Sequence, residues 1–141
     1  MSAKISEEIQ KIMNERFGKD SLISVATVSS GKPFVRTVDA YYENGCFYVV
    51  TYALSNKMLH IKENPSVAIC GDWFTAHGTG ENLGYVLSEE NKPLMERLRK
   101  IFKEWYYNGH TNESDPNTCI LRIKLTDGVL FDNGVRYDIE F

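Results

Sequence analysis

The sequence predicts a mainly β fold, in which six or seven antiparallel strands form a small barrel flanked by helices. Runs rich in β-branched and aromatic residues recur along the chain, and tight-turn pairs such as Asn44-Gly45 and Asn133-Gly134 separate them. Few stretches show helical spacing, so strands dominate the prediction. The chain has 141 residues, close to the common size of one domain, and we expect residues 1–141 to form a single domain.

The first element is an amphipathic helix over residues 4–17. Gly18 is well placed to end this helix, and a strand over residues 22–29 with a turn at 30–33 follows it. Apolar side chains recur at helical spacing among Glu and Lys residues, namely Ile5, Ile9, Ile12, Met13 and Phe17.

The next two strands are predicted to form a hairpin around Asn44-Gly45. Both positions of a type I′ turn need a positive φ, which these two residues tolerate. A two-residue turn sets the register and places Arg36 beside the exit of the second strand. The predicted pairs are Glu43 with Cys46, Tyr41 with Tyr48, Asp39 with Val50, Thr37 with Tyr52 and Arg36 with Ala53.

The rest of the chain continues as helices and strands. A helix that starts at Ser55 ends near Asn64, because Pro65 disfavours helical geometry in the residue before it. The later elements are predicted as a strand at 66–73, a glycine-rich connection, a strand at 82–87, a helix from about 91 to 107 ending at Asn108-Gly109, and a meander with strands at 119–125, 129–131 and 135–139 and turns at 127–128 and 133–134.

Composition narrows the possible functions. The net charge of −3 argues against general affinity for nucleic acid or an anionic membrane. The N-terminus lacks a signal-peptide core, and no run approaches the roughly 20 apolar residues of a membrane span, so we expect a cytoplasmic protein. Cys46, Cys70 and Cys119 lie far apart without a C-x-x-C pair, and we expect reduced apolar fillers on strands.

A candidate anion site lies where the hairpin meets the following helix. Ser55-Asn56-Lys57 has a capping side chain followed by a cation in the first helical turn. A helix N-terminus offers free N–H groups and the positive end of the dipole, both of which suit an anion. With Arg36 beside the same spot, the pattern indicates a phosphate site.

These residues occur in the order found in a known family. The arrangement of Arg36-Thr-Val38, a hairpin, Thr51-Tyr52, Ser55-Asn-Lys57 and Asn64-Pro65 resembles the pyridoxamine 5′-phosphate oxidase-like flavoproteins. The resemblance extends more loosely from the first strand to the terminal Arg-Ile-Lys-Leu strand. It implies an FMN-binding split barrel, usually a homodimer with the flavin near the subunit interface.

The resemblance also implies roles for individual residues. Arg36 and Lys57 would hold the FMN phosphate, and Ser55 and Asn56 would donate to it from the helix start. The backbone around Thr37 would run under the flavin. The complete set of expected cofactor-binding residues is Arg36, Thr37, Val38, Val50, Thr51, Tyr52, Ser55, Asn56 and Lys57.

The chain also departs from the family pattern. The vitamin oxidase proper ends in a basic, proline-containing strand that helps bind its substrate, whereas residues 135–141 are acidic and lack proline. Asn56 stands where that enzyme has a second arginine, and residues 72–81 do not match its ring-contacting strand clearly. We therefore do not expect pyridoxamine phosphate oxidase activity.

The expected function is that of an FMN-dependent oxidoreductase. The resemblance implies electron transfer between a nicotinamide cofactor and a small organic substrate, with the flavin supplying the chemistry and no residue required as catalytic acid or base. Two alternatives remain. One is a non-catalytic binding module for flavin, deazaflavin, haem or another phosphorylated ligand, and the other is a structural dimer whose pocket is vestigial.

Several side chains allow structural interpretations as well. Arg36 could pair with Asp39 or another carboxylate. The stripe with Trp105 favours a core or dimer-interface role over a flavin wall, while Trp73 is open between core and ring pocket. The three histidines are scattered and predict no metal site, although His77 among glycines could be a proton donor or haem ligand.

Overall fold

Three α-helices and seven strands make up the part of the chain that the computed structural model describes, residues 5–141. The helices are α1 (Glu7–Phe17), α2 (Asn56–Glu63) and α3 (Lys92–Ile101), and a 3₁₀ turn at Glu89–Asn91 precedes α3. The strands are β1 (Ser21–Ser29), β2 (Lys32–Glu43), β3 (Cys46–Tyr52), β4 (Ser66–Gly71), β5 (Phe74–Tyr85), β6 (Thr118–Asp132) and β7 (Val135–Glu140).

All seven strands belong to one antiparallel sheet in the order β3-β2-β1-β4-β5-β6-β7. A further pairing of β3 with β6 closes six of these strands into a barrel and leaves β7 on the outer edge of β6. Closure satisfies the backbone groups that would otherwise lie on open edges. The predicted split β-barrel with flanking helices is therefore confirmed.

The Asn44-Gly45 turn forms as predicted, with φ of 47° at Asn44 and 81° at Gly45. Beside it, Glu43 pairs with Cys46 and Tyr41 with Tyr48. The register predicted farther from the turn is wrong, because β2 and β3 separate beyond Tyr48. The pairs that do not form are Asp39 with Val50, Thr37 with Tyr52 and Arg36 with Ala53.

Each separated strand has another partner. Thr51 on β3 pairs with Cys119 on β6, and Arg36 on β2 pairs with Val25 on β1. Because strands in a barrel are tilted and twisted, two hairpin strands can part once neighbouring strands satisfy their hydrogen bonds. The separation leaves an opening between β2 and β3.

Strand β5 runs unbroken through the residues predicted as a glycine-rich connection. The reason lies in packing: a Cβ at Gly78 would lie 2.8 Å from the Lys124 carbonyl oxygen, and one at Gly80 would lie 3.0 Å from the Ile61 side chain. These glycines permit close approach within a strand. The strand predicted at 82–87 is therefore the end of β5 and the residues that follow it.

Three other boundaries differ from the prediction. β6 continues through Asp127-Gly128, where a bulge places Thr126 as an extra residue opposite β5, so no turn forms there. β4 ends at Gly71, and Trp73 with φ of 50° lies in the tight turn that follows. Helix α3 ends at Ile101, and irregular turns occupy residues 102–110.

The apolar interior consists of two clusters. Helix α1 begins after the N-cap Ser6 and buries Met13 and Phe17 in the barrel, where the Phe17 ring lies 5.5 Å from that of Phe47. Helix α3 packs its apolar side on a second cluster outside the barrel, formed by Val86, Met95, Leu98, Phe102, Tyr106 and Ile120.

The cysteines differ in their surroundings. Cys119 is buried and Cys46 is partly buried, as expected for apolar fillers, whereas Cys70 is exposed. All three thiols are free. No helix within residues 5–141 is long and apolar enough to cross a membrane.

Candidate functional site

Lys57 reaches into the end of the barrel from the first turn of α2. Ser55 caps this helix, since its Oγ accepts from the backbone N–H of Met58 at 3.4 Å. The Lys57 side chain is buried, with 8% of the residue exposed, and its Nζ donates to Thr51 Oγ1 at 2.5 Å and to Ser55 Oγ at 3.4 Å. A buried ammonium group is therefore satisfied by neutral hydroxyls.

Arg36 approaches the same place from β2. Its Nη1 donates to the Val25 carbonyl at 3.3 Å and to Thr27 Oγ1 at 2.7 Å. No ion pair within residues 5–141 includes Arg36 or Lys57. The structural interpretation of Arg36 as the partner of Asp39 is therefore not what the geometry shows.

The two cations influence each other. Burial lowers the pKa of Lys57, and the nearby charge of Arg36 lowers it further. Burial also lowers the pKa of Arg36. Burial of the adjacent Cys119 thiol raises its pKa to about 11, although Lys57 opposes this shift. An anion bound between Arg36 and Lys57 would stabilise their charged forms, which burial and mutual repulsion disfavour.

Thr27 and His60 complete the surroundings of Arg36. Thr27 on β1 is fully buried, and its Oγ1 lies 2.8 Å from Nδ1 of His60 on α2. No sequence pattern predicts either residue to be part of the site. Their contact joins distant parts of the chain and carries no local sequence signal, beyond the position of His60 one helical turn after Lys57.

Two adjoining cavities open where β2 and β3 separate, with volumes of about 440 and 290 Å³. Four of the predicted site residues line them: Val38, Val50, Thr51 and Tyr52. Both cavities are also lined by His110 and Thr111. Thr51, which accepts a hydrogen bond from Lys57, lines both cavities, so the cavities lie beside the cationic end of the barrel.

Trp105 lies between the second apolar cluster and the larger cavity. It packs against the second apolar cluster and also lines the larger cavity. Its indole Nε1 donates to Asp20 Oδ2 at 3.1 Å. The predicted packing of Trp105 in the core is therefore confirmed, and its side chain also borders the larger cavity.

An acidic pair lies on the wall of the larger cavity. Asp39 lines the cavity, and its carboxyl group lies within hydrogen-bonding range of the Asp20 carboxyl. Burial raises the pKa of Asp20 to about 6, and the charge of Asp39 adds to the effect. Asp20 Oδ2 accepts from Trp105, whereas Asp20 Oδ1 is buried and has no hydrogen-bond donor among residues 5–141. The pair can therefore hold one proton below about pH 6.

The remaining candidates lie less close to this arrangement. Thr37 and Asn56 are both exposed and line neither cavity. His77 forms an exposed pair with Asp127, with Nδ1 and Oδ1 2.9 Å apart, on another part of the barrel. Trp73 is 71% exposed and packs edgewise on Phe131.

The chain matches a known family model along most of its length. The model is described as pyridoxamine 5′-phosphate oxidase, and it matches residues 5–131. A search of curated proteins finds no match.

Solved structures share the fold at low sequence identity. General stress protein 26 from Bacillus anthracis str. Sterne aligns with a TM-score of 0.70 and 15% identity, covering 94% of this chain and 99% of that chain. A FAD-binding protein from Mesorhizobium loti gives 0.67 and 14%, covering 88% and 92%. An F420 reductase gives 0.60 and 17%, covering 82% and 94%. At these identities the likeness shows the fold alone.

Proposed function

The chain belongs to the pyridoxamine 5′-phosphate oxidase family, and on this premise we propose that it is an FMN-binding oxidoreductase. The observation that carries the proposal is the pair Arg36 and Lys57, held together beside a cavity and without a carboxylate partner within residues 5–141. A dianionic phosphate is the ligand that this charge distribution suits best.

The phosphate would occupy the cationic end of the barrel. Lys57 would donate to it as a point charge, and Arg36 would donate through its planar fork. Thr51 and Ser55 already lie within hydrogen-bonding distance of Lys57 Nζ and could turn their hydroxyl groups toward the anion. Neutralisation of two buried, repelling cations would then contribute to cofactor affinity.

The flavin ring would occupy the larger cavity. Ligand sites usually combine apolar walls with a few polar groups, and this cavity has Val38, Val50 and Trp105 beside Asp39 and His110. Its volume of about 440 Å³ lies in the range of small-ligand sites. This arrangement supports a ring position next to the separated ends of β2 and β3.

When bound, the flavin would supply hydride and electron transfer between a nicotinamide cofactor and a small organic substrate. The protein's own groups would bind the phosphate, orient the ring and exclude water. The Asp20 and Asp39 carboxyls would hold a proton at the cavity wall. This division of roles requires no covalent step on a protein side chain.

We further propose that the protein acts as a cytoplasmic homodimer of single-domain subunits, with the flavin near the subunit interface. Exposed apolar side chains on β1 and β2 support an interface on this face of the barrel. Leu22 is 64% exposed and Val35 is 70% exposed. Burial of such side chains in a partner would stabilise the assembly.

Pyridoxamine phosphate oxidation is not part of the proposal. β7 pairs only with the second half of β6, from Asp127 to Asp132, whereas the site lies beside the first half of that strand. β7, which is acidic and lacks proline, does not resemble the substrate-binding strand of that enzyme.

The alternative is a binding module that holds a flavin, a haem or another phosphorylated ligand without turnover. The fold shared with an F420 reductase favours a deazaflavin as one such ligand. The same two cations would hold the phosphate of a flavin or the carboxylates of a haem, so the identity of the ring and the presence of turnover together separate the two functions.

Ligand titration tests the proposal directly. We expect the purified protein to bind FMN much more tightly than riboflavin, which lacks the phosphate, and to be reduced by a nicotinamide cofactor once loaded. Lys57→Met should weaken FMN binding by about ten- to a hundredfold. Lys62→Met, an exposed change on the same helix, is the matched control. Equal affinity for FMN and riboflavin, or no binding of either, would refute it.

A further inference from the structure

Arg36 is the first member of a hydrogen-bonded chain that crosses three elements. Its Nη1 on β2 donates to Thr27 Oγ1 on β1 at 2.7 Å, and this hydroxyl lies 2.8 Å from His60 Nδ1 on α2. Thr27 has no measurable exposure to solvent. Water therefore cannot replace either contact of the threonine hydroxyl.

The direction of each hydrogen bond follows from donor chemistry. A guanidinium group only donates, so Thr27 Oγ1 accepts from Arg36. The hydroxyl proton needs its own acceptor, because a buried O–H without one costs free energy. Within the described residues, His60 Nδ1 is the acceptor in reach. This arrangement leaves the His60 ring neutral, with its proton on Nε2.

These hydrogen bonds leave some donors of the Arg36 guanidinium available for a ligand. Both hydrogens of Nη1 are used, one on the Val25 carbonyl and one on Thr27. Within residues 5–141, no partner is found for the Nε and Nη2 donors. One edge of the guanidinium is therefore held by the barrel, and the other edge can face an anion.

The same hydrogen bonds also connect the two cations of the proposed phosphate site. His60 lies one turn after Lys57 on α2, so it ties the helix that carries Lys57 to the strands that carry Arg36. The two cations repel each other. Thr27 and His60 oppose this repulsion by fixing the position of Arg36 before an anion arrives.

We propose that Thr27 and His60 are positioning residues that hold Arg36 ready for the phosphate of the cofactor. The inference rests on the proposed function, since it assumes that the anion at Arg36 and Lys57 is a phosphate. A site preorganised in this way loses less freedom when the ligand binds, so its affinity is higher. The effect is specific to the phosphate and does not extend to the flavin ring.

The first test compares FMN with riboflavin in titrations of three variants. Thr27→Val keeps the shape of the side chain and removes the hydroxyl, and we expect it to weaken FMN binding by about tenfold and riboflavin binding by less than about twofold. Thr27→Ser keeps the hydroxyl and should retain most of the FMN affinity. Arg36→Met provides the reference for complete loss of the guanidinium.

A double-mutant cycle separates positioning from general damage. If Thr27 acts through Arg36, then Thr27→Val should have little further effect on FMN affinity in the Arg36→Met background. Independent, additive losses would overturn the inference. So would an unchanged preference for FMN over riboflavin in Thr27→Val, when Arg36→Met reduces that preference. If Arg36→Met itself leaves FMN affinity unchanged, the proposed function fails.

His60 gives a test that does not depend on the stability of a Thr27 variant. Nitrogen NMR of the ring should show the proton on Nε2, and a proton on Nδ1 would contradict the proposed direction. His60→Leu should weaken FMN binding in the same phosphate-specific way. His60→Asn, which can place an amide oxygen near the position of Nδ1, should weaken it less. Equal losses for FMN and riboflavin in His60→Leu would also count against the inference.

Discussion

Arg36 and Arg99 are both partly buried, yet their electrostatic surroundings are opposite. Arg99 on α3 donates to the Glu113 carboxylate at 2.8 and 3.3 Å, and these hydrogen bonds raise its pKa. Among residues 5–141, Arg36 on β2 donates only to neutral oxygens, and burial lowers its pKa. The protein itself neutralises the charge of Arg99, whereas the charge of Arg36 has no carboxylate partner in the described part of the chain.

The contrast extends to the other arginines of the chain, all of which lie in the described residues. Five of the six form an ion pair with a carboxylate: Arg16 with Asp132, Arg97 with Glu43, Arg99 with Glu113, Arg122 with Glu81 and Arg136 with Asp138. Arg36 is the exception, and it lies beside the buried Lys57. A missing countercharge therefore distinguishes Arg36, the proposed phosphate ligand, from the five arginines that form ion pairs.

The largest expected effect comes from supplying the missing countercharge. Thr51→Asp would place a carboxylate close to Lys57 Nζ, which now lies 2.5 Å from the threonine hydroxyl. We expect FMN affinity to fall by about a hundredfold or more, because the carboxylate competes with the phosphate and repels it. Without ligand, the Thr51→Asp variant should unfold at a higher temperature, because the new carboxylate supplies the countercharge that Lys57 lacks within residues 5–141.

Thr51→Asn is the matched control, since it has a similar size and no charge. It should lose less FMN affinity than Thr51→Asp and gain no thermal stability. Comparable FMN affinity for the two variants would show that charge at position 51 does not affect binding. A missing countercharge would then no longer distinguish the role of Arg36 from that of Arg99.

The second effect concerns stability without ligand. Arg99→Met should lower the free energy of unfolding by about 1–3 kcal/mol, because the Glu113 carboxylate would lose its cation and keep the hydrogen bond from Tyr106. Arg36→Met should cost much less, since it removes a cation that already repels Lys57. Urea denaturation of both variants checks this order, and a larger loss for Arg36→Met would contradict it.

A third and smaller effect is stabilisation by inorganic phosphate. At a phosphate concentration of about ten times its Kd, the free energy of unfolding should rise by roughly 1.4 kcal/mol. Calorimetry should detect this gain in the natural sequence and in Lys62→Met, and not in Lys57→Met. A gain of the same size in Lys57→Met would place the anion elsewhere.

The smallest effect is a pH dependence at the cavity wall. The pKa of Asp20 is raised to about 6, mainly by burial and then by Asp39, so the proton on this pair stabilises the fold. That contribution is complete below the ordinary carboxyl pKa of 3.8 and is lost as the pH rises through about 6. Asp39→Asn should lower the pKa of Asp20 and move this loss to lower pH.

Trp105 reports on the same titration, because its indole donates to Asp20. In a Trp73→Phe background, Trp105 fluorescence should change with a midpoint near pH 6, which Asp39→Asn should shift downward. An unchanged midpoint in Asp39→Asn would mean that the two carboxyls do not interact.

Local signals in the sequence predict part of the site. Asn44-Gly45 correctly predicts the turn, Ser55 the helix cap and Pro65 the end of the helix. The approach of Arg36 to Lys57 is also confirmed, although the predicted strand pairing between Arg36 and Ala53 is not. The hairpin brings these strands together near the turn, but tertiary pairing decides where they separate.

Other features depend on contacts between distant residues. The pairs Thr27 with His60 and Asp20 with Asp39 arise only when the barrel closes, so no spacing along the chain predicts them. The unbroken course of β5, in contrast, could have been predicted from the sequence. From Phe74 to Glu81, apolar or small residues alternate with polar ones at the period of a strand, and Gly78 and Gly80 fall at positions that the structure buries.

The pairing of β3 with β6 has a kinetic consequence. Tyr52 on β3 lies opposite Thr118 on β6, far away in the sequence, and both residues form part of the wall of the smaller cavity. Strand pairs of large sequence separation require a long loop to close first, and they usually form late in folding. A ligand that needs this wall stabilises the native state more than the transition state for folding. FMN should therefore slow unfolding while leaving the folding rate almost unchanged.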